Sequence, residues 1–98
     1  MSFKKYNTIE NGIEYEIREY YGSTHWYRNG ELDRESGPAK MLNTGSAEWY
    51  RNGKLHRLDG PALDRTNMGE TYWFYHGELI ECETQEEFER YLRLKAFW

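Results

Sequence analysis

The chain has 98 residues, a formal net charge of −4, and contents of 31% charged and 17% aromatic residues. A chain of this length forms one domain, here taken as 1–98, and its aromatic side chains supply the core that its few aliphatic ones do not. It has no basic stripe that would bind a nucleic-acid backbone, which excludes direct duplex nucleic-acid binding. It has no apolar run of membrane-spanning length, which excludes a membrane span. Its single cysteine excludes an internal disulfide and favours the cytoplasm.

The first 25 residues are interpreted as N-terminal strands that include a degenerate repeat. Asn11-Gly12-Ile13 has the form of a turn and the start of a strand, and Thr24-His25-Trp26 is the expected return strand. Residues 1–20 carry no convincing match to the phrase that the later part of the chain repeats.

A fourteen-residue phrase then occurs twice. Residues 26–39 read WYRNGELDRESGPA and residues 49–62 read WYRNGKLHRLDGPA, and a shorter copy, WFYHGELI, begins at Trp73. Successive copies start 23 and then 24 residues apart. A fixed internal period of this length indicates one supersecondary unit that is repeated and stacked. Residues 26–80 are therefore predicted to form a series of similar hairpins.

Each copy carries a two-residue turn signal, at Asn29-Gly30, Asn52-Gly53 and His76-Gly77. Pairs of this kind favour the type I′ turn, in which both central residues have positive φ. Further turns are predicted at Asn43–Gly45 and Asn67–Gly69, and the Gly-Pro pair in each phrase interrupts its strand. The pattern predicts an antiparallel β-meander of about six to eight short strands.

Counting outward from each turn assigns side chains to two faces, because directly paired residues share a face. One face collects only apolar pairs: Tyr27 with Leu32, Tyr50 with Leu55, and Phe74 with Leu79. This face is predicted to be the core face.

The opposite face carries tryptophans among charged residues. It supplies the candidate binding residues, which are Trp26, Arg28, Trp49, Arg51, His56, Trp73 and Tyr75. Two interpretations stay open. The tryptophans either pack under the C-terminal helix and neighbouring arginine side chains, or form an exposed surface that binds a partner, since Trp and Arg are enriched at binding hot spots.

The chain ends in a predicted α-helix at 84–95. Thr84 and Glu87 have the spacing of a capping box, and Phe88, Tyr91 and Leu92 form one apolar stripe that must pack on the sheet. Phe97 and Trp98 are expected to pin the end of this helix. The predicted fold class is α+β, an antiparallel meander of hairpins with one C-terminal helix.

No catalytic or metal-binding pattern emerges from the sequence. His25, His56 and His76 fall in different contexts without carboxylates at metal-ligand spacing, and Cys82 has no cysteine partner for a zinc or redox motif. The chain is therefore predicted not to be an enzyme, and to need neither a metal nor a cofactor.

The phrase at 49–62, followed by Gly69 and then WFYHG, resembles the MORN-like repeats common in bacteriophage and giant-virus proteins, which often read W-Y-x-N-G-K-x-H-R-x-D-G-P-A. Glu86-Glu87-Phe88 looks like the short acidic helix, with E-E-F, in which such proteins often end. The resemblance covers roughly residues 24–92. The copy at 26–39 departs from it, with Asp33 where His56 stands and Ser36 where Asp59 stands. The resemblance implies a hairpin array used as a binding or scaffolding surface.

The function predicted from these features is a non-enzymatic protein-binding module. A small phage-type protein of this kind would bind and inhibit a host protein, such as a defence enzyme. Two alternatives stay open: a nucleotide or small-ligand sponge that uses the Trp–Arg face, and a self-assembling structural protein, a homo-oligomer that pairs the free edges of its sheet.

Overall fold

Residues 3–96, which the computed structural model describes, form eleven strands and one α-helix, and this confirms the predicted α+β class. The elements are β1 (Lys4–Glu10), β2 (Ile13–Tyr20), β3 (Ser23–Arg28), β4 (Glu31–Leu32), β5 (Lys40–Leu42), β6 (Ala47–Glu48), β7 (Tyr50–Arg51), β8 (Lys54–Leu55), β9 (Leu63–Arg65), β10 (Glu70–Tyr75), β11 (Glu78–Ile80) and α1 (Gln85–Lys95). The main sheet has the order β1-β2-β3-β5-β6-β9-β10-β11, β4 adds to β3, and β7 and β8 form a separate pair.

The hairpin turns are the predicted ones. Asn29, Asn52 and His76 all have positive φ, as do the glycines that follow them, which is the geometry of the type I′ turn. The three predicted cross-strand pairings next to these turns are confirmed. Asn11 and Gly12 form a like turn between β1 and β2, and residues 24–26, the predicted return strand of this unit, lie in β3, which pairs antiparallel with β2.

Each full copy of the phrase contains a loop that leaves the sheet and comes back to the same place. The Trp26 N–H donates to the Ala39 carbonyl at 2.7 Å, while the Trp26 carbonyl accepts from the Asp33 N–H at 3.1 Å. Two separate residues thus lie opposite one tryptophan, and the chain between them is looped out. In the second copy, Ala62 and His56 bond to Trp49 in the same way, at 2.8 and 3.0 Å.

We call the looped-out segments, residues 34–38 and 57–61, the bulge loops. Each one splits a strand that the sequence pattern presents as continuous, and the sheet is divided again at Trp49. This is why the structure has eleven strands where six to eight were predicted.

The cross-strand register brings tryptophans and alanines into one line across the sheet. Ile17 pairs with Trp26, Trp73 pairs with Ile80, and the pairings between them place Ala39 and Ala62 between successive tryptophans. We call this line the Trp–Ala row; its members are Ile17, Trp26, Ala39, Trp49, Ala62, Trp73 and Ile80. Both alanines are fully buried. The phrase ends in alanine because an indole lies on either side of that position.

The helix packs on the last hairpin, as predicted. Its capping box is present: the Glu87 N–H donates to the Thr84 hydroxyl and the Thr84 N–H donates to the Glu87 carboxylate, both at 3.2 Å. Phe88 is fully buried against Trp73 and Ile80, and the rest of the predicted stripe packs beside it. Phe97 and Trp98, predicted to pin the helix end, lie outside the described residues. Among the residues described, no helix combines the length and apolarity needed to cross a bilayer.

The predicted core face is wrong, because the tryptophan face is the buried one. Trp73 and Ile80 are only 6% and 7% exposed, whereas Leu79, on the predicted core face, is 50% exposed. The helix and the bulge loops all lie on the tryptophan face. Both faces carry aromatic side chains, and the elements that cover one of them decide which becomes the core.

A candidate binding cleft between the bulge loops

Guanidinium groups of arginines in the bulge loops lie over the rings of two of the tryptophans. The guanidinium carbon of Arg34 is 3.6 Å from the centroid of the Trp26 ring, and that of Arg57 is 3.7 Å from the centroid of the Trp49 ring. These are cation–π contacts at close range. Trp73 is instead covered by the helix, and its indole N–H donates to the Gln85 side-chain oxygen at 2.7 Å. The first of the two interpretations is therefore the one observed.

Each of these arginines is tied to its own loop. Arg34 Nη1 donates to the Pro38 carbonyl at 3.2 Å, and Arg57 Nη1 donates to the Pro61 carbonyl at 3.1 Å. A Cβ added to Gly60 would lie 2.6 Å from the Arg57 guanidinium carbon. The Gly-Pro pair of the phrase therefore leaves room for a guanidinium and supplies an acceptor for it.

Carboxylates complete the support of both arginines. Arg34 donates from Nε and Nη2 to the two carboxylate oxygens of Glu10, at 3.0 and 2.7 Å. Arg57 Nε donates to Asp59 at 2.8 Å. These hydrogen bonds lower the pKa of both Glu10 and Asp59 below the ordinary value of each. Each of the two arginines therefore bonds both a carboxylate and a proline carbonyl.

A cleft of about 460 Å³ lies between the two bulge loops. Trp49 and Arg51 line it together with the loop residues, and His56 joins them at one side. Leu58, also in the lining, is 53% exposed. The cleft thus combines an exposed aliphatic side chain with rigidly held guanidinium groups.

The charges of the cleft are largely balanced. Arg51 bridges Asp33 at 3.2 Å and Glu35 at 3.6 Å. Asp33 is buried and accepts a second bond, from the Asn52 N–H at 2.9 Å. All three arginines that line the cleft therefore have a carboxylate partner, so the site is not a strongly basic one.

His56 and Asp33 stand at equivalent positions in successive copies of the phrase, and each accepts a backbone N–H from the next hairpin. Asp33 accepts the N–H of Asn52, the first turn residue of the next hairpin, and His56 Nδ1 accepts the N–H of His76 at 2.9 Å. The two side chains differ, but each supplies one acceptor at the same place. The departure of the first copy from the repeat pattern therefore preserves this hydrogen bond.

The bond to His76 requires a neutral His56, because a protonated ring has no acceptor nitrogen. Burial, then the nearby His76 and Arg51, lower the pKa of His56 below its ordinary value of 6.5. In the unfolded chain the ring takes up its proton at a higher pH than in the folded one. The stability from this group is therefore complete above pH 6.5 and is lost as the pH falls through the folded-state pKa.

We expect the free energy of unfolding of the wild-type chain to fall between about pH 8 and about pH 5, measured by urea denaturation. His56→Asp keeps an acceptor, as Asp33 shows, and is expected to reduce this dependence. It should not remove all of it, because burial also lowers the pKa of His25. A variant whose pH dependence equals that of the wild type would contradict the role given to His56.

The structure brings some of the predicted binding residues together and separates others. Trp49, Arg51 and His56 share the cleft. Trp26 lies under Arg34, and Trp73 lies in the core. Arg28 lines a separate shallow pocket, and Tyr75 packs beside the helix, 5.3 Å from the His56 ring.

The sequence-based prediction missed the residues that form the walls of the cleft, namely Arg34, Arg57 and Leu58. A signal for the two arginines exists in the phrase, since each stands eight residues after its tryptophan and three before its glycine.

Within residues 3–96, no group of three or more His, Cys, Asp or Glu side chains is placed to hold a metal ion. No protein-family model, curated protein or solved structure matches this chain.

Proposed function

We propose that this chain is a non-enzymatic protein-binding module that holds its partner in the cleft between the bulge loops. The observation that carries the proposal is the exposed Leu58 among the rigidly held Arg34, Arg51 and Arg57. The resemblance to repeats of phage and giant-virus proteins supports a host protein, such as a defence enzyme, as the partner. In this proposal the module inhibits that protein in the host cytoplasm.

The lining of the cleft suits a protein surface. Protein interfaces combine apolar anchors with polar groups and are enriched in Arg and aromatic residues. Binding costs less when the side chains involved are already ordered, and the arginines here are held by Glu10, Asp59 and the proline carbonyls. The cleft can therefore accept a partner side chain without first ordering its own walls.

The same contacts speak against a nucleotide sponge. A base would have to stack on Trp26 or Trp49, but a guanidinium already lies on each ring. A phosphate would have to compete with the carboxylates that Arg34, Arg51 and Arg57 already bind. Neither competition arises for a protein partner that packs on Leu58.

The test is affinity capture from host lysate with the wild-type chain and two variants. Leu58→Asp places a charge on the exposed leucine of the cleft, and Met68→Asp makes a like change at an exposed residue of the β9–β10 connection, outside the cleft. We expect Leu58→Asp to lower the affinity for the captured protein at least about tenfold, ~1.4 kcal/mol, and Met68→Asp to leave it unchanged. Circular dichroism checks that both variants are folded.

Equal capture by both variants would contradict the cleft as the binding surface. Loss of capture only when Glu83 and Glu86 are changed to glutamine would assign binding to the acidic helix region instead. Stabilisation of the chain by a nucleotide in a thermal-shift screen, with no captured protein, would contradict a protein partner.

A further inference from the structure

One edge of the sheet is a long strand with a free side. β1 pairs with β2 over seven residues, and the sheet order begins at β1, so no strand among residues 3–96 pairs with its outer side. The opposite edge is different, because β11 has only three residues. An unpaired strand edge is a template for pairing with another chain.

The turn geometry shows which backbone groups of β1 point outward. The type I′ turn at Asn11 and Gly12 closes on the pair Glu10–Ile13. In a two-residue hairpin the two residues of this closing pair are hydrogen-bonded to each other, so the backbone groups of Glu10 point toward β2. Hydrogen-bonded pairs alternate with non-hydrogen-bonded ones along an antiparallel ladder. The N–H and C=O groups that point to the free side are therefore those of Lys5, Asn7 and Ile9.

We propose that β1 binds a second copy of this chain, with the two β1 strands antiparallel about a two-fold axis at Asn7. In this register Asn7 lies opposite its own counterpart and Lys5 lies opposite Ile9, so that all outward groups find partners. It is also the symmetric register that pairs all seven residues of β1. Such a dimer is closed, because each copy uses the same edge.

Charge complementarity selects this arrangement. Lys4 and Lys5 stand at the start of the strand and Glu10 at its end. The antiparallel register places Lys4 of each copy directly opposite Glu10 of the other, whose carboxylate also binds Arg34 within its own copy, and opposite charges on facing residues stabilise a strand pair. A parallel pairing would put the lysines together, and like charges directly opposite destabilise it. The lysines at the start of β1 therefore destabilise a parallel pairing of two copies and stabilise the antiparallel one.

Exposed apolar side chains on β1 also favour pairing with a second copy. Ile9 is 71% exposed and Tyr6 is 45% exposed, although they lie on opposite faces of the sheet. In the proposed dimer Tyr6 would pack against Thr8 of the second copy, and Ile9 would lie against the alkyl stem of Lys5. Pairing thus covers apolar surface on both sides of the new junction.

The first test measures molar mass by light scattering or sedimentation. The wild-type chain is expected to change, as concentration rises, from its monomer mass of 11.9 kDa to about twice that mass. Asn7→Pro removes an outward N–H, which an edge strand tolerates, and is expected to stay monomeric with an unchanged circular dichroism spectrum. Thr8→Pro, its matched control, removes an N–H that bonds to β2 and is expected to disrupt β1 itself.

The second test fixes the register. Tyr6 and Thr8 would form a non-hydrogen-bonded pair between copies, with Cα atoms about 4.5 Å apart, which a disulfide can span. With Cys82→Ser as background, the double variant Tyr6→Cys, Thr8→Cys is expected to form a covalent dimer on oxidation, and either single variant is not.

A wild-type chain that remains monomeric at millimolar concentration overturns the proposal. So does an Asn7→Pro chain that dimerises as the wild type does, or cross-linking that is equal in the single and double variants. The proposal is independent of the cleft: Leu58→Asp is expected to leave the molar mass unchanged, so the failure of either proposal leaves the other standing.

Discussion

Replacing Phe88 with alanine is expected to lower the free energy of unfolding by about 3–5 kcal/mol. Phe88 is fully buried and is the central apolar contact of the helix with Trp73 and Ile80, next to the Gln85 hydrogen bond to the Trp73 indole. Its loss leaves a cavity between helix and sheet, and the capping box holds only the start of the helix. Since a domain of this size has a total stability of roughly 5–15 kcal/mol, the variant is expected to lie close to unfolding at room temperature.

Urea denaturation followed by far-ultraviolet circular dichroism and by tryptophan fluorescence measures this effect. Leu94→Ala is the matched control, because Leu94 lies on the same helix but is exposed; we expect it to change stability by less than about 0.5 kcal/mol. If the two variants lose the same stability, the helix is not anchored through Phe88.

The second large effect is expected at Ala62, where leucine should cost about 1–3 kcal/mol or more by overpacking. Ala62 is fully buried in the Trp–Ala row, between Trp49 and Trp73. A larger side chain has to push an indole away from the sheet. Because Arg57 lies on Trp49 at 3.7 Å, that movement would also disturb the wall of the cleft.

Thermal and urea unfolding of Ala62→Leu measure this cost. Ala96→Leu makes the same chemical change at an exposed position after the helix and is expected to be nearly neutral. Ala39→Leu, at the equivalent place in the first copy, should behave like Ala62→Leu. If Ala62→Leu is tolerated as well as Ala96→Leu, the alanine is not needed to separate the indoles.

The parts of this fold that the sequence predicts correctly are those encoded locally. An Asn-Gly pair specifies a type I′ turn through the φ angles of two residues, and the turn then sets the register of pairs such as Tyr50 with Leu55. The capping box of Thr84 and Glu87 sets the start of the helix within four residues. None of these features depends on a distant part of the chain.

The choice of core face could not be predicted in this way, because both faces of each hairpin carry large apolar side chains. Phe74 and Trp73 are neighbours on one strand, and alternation alone sends them to opposite faces. Burial is decided by the helix, more than ten residues away, which covers Trp73 and leaves Leu79 half exposed.

The cleft was out of reach of sequence pattern for a related reason. The place of Trp49 and Arg51 in the phrase predicts them as site residues, but the bulge loop that brings Arg57 over Trp49 looks, in the sequence, like an ordinary turn. Its shape depends on Ala62 returning to the position that His56 already faces. The spacing of Trp, Arg and Gly in the phrase marks the loop arginines, but the closure of the loop depends on a residue thirteen positions after the tryptophan that it bonds.

The strand order of the sheet also has a consequence for how the chain comes together. Strands follow one another across the main sheet nearly as they follow one another along the chain, and even the pairing of β6 with β9 joins residues as near as Ala47 and Asp64. The entropy lost on closing a loop grows with loop length, and low contact order is associated with fast folding. Within residues 3–96 no strand depends on a partner from the far end of the chain, so the entropy of closure is divided among several short loops.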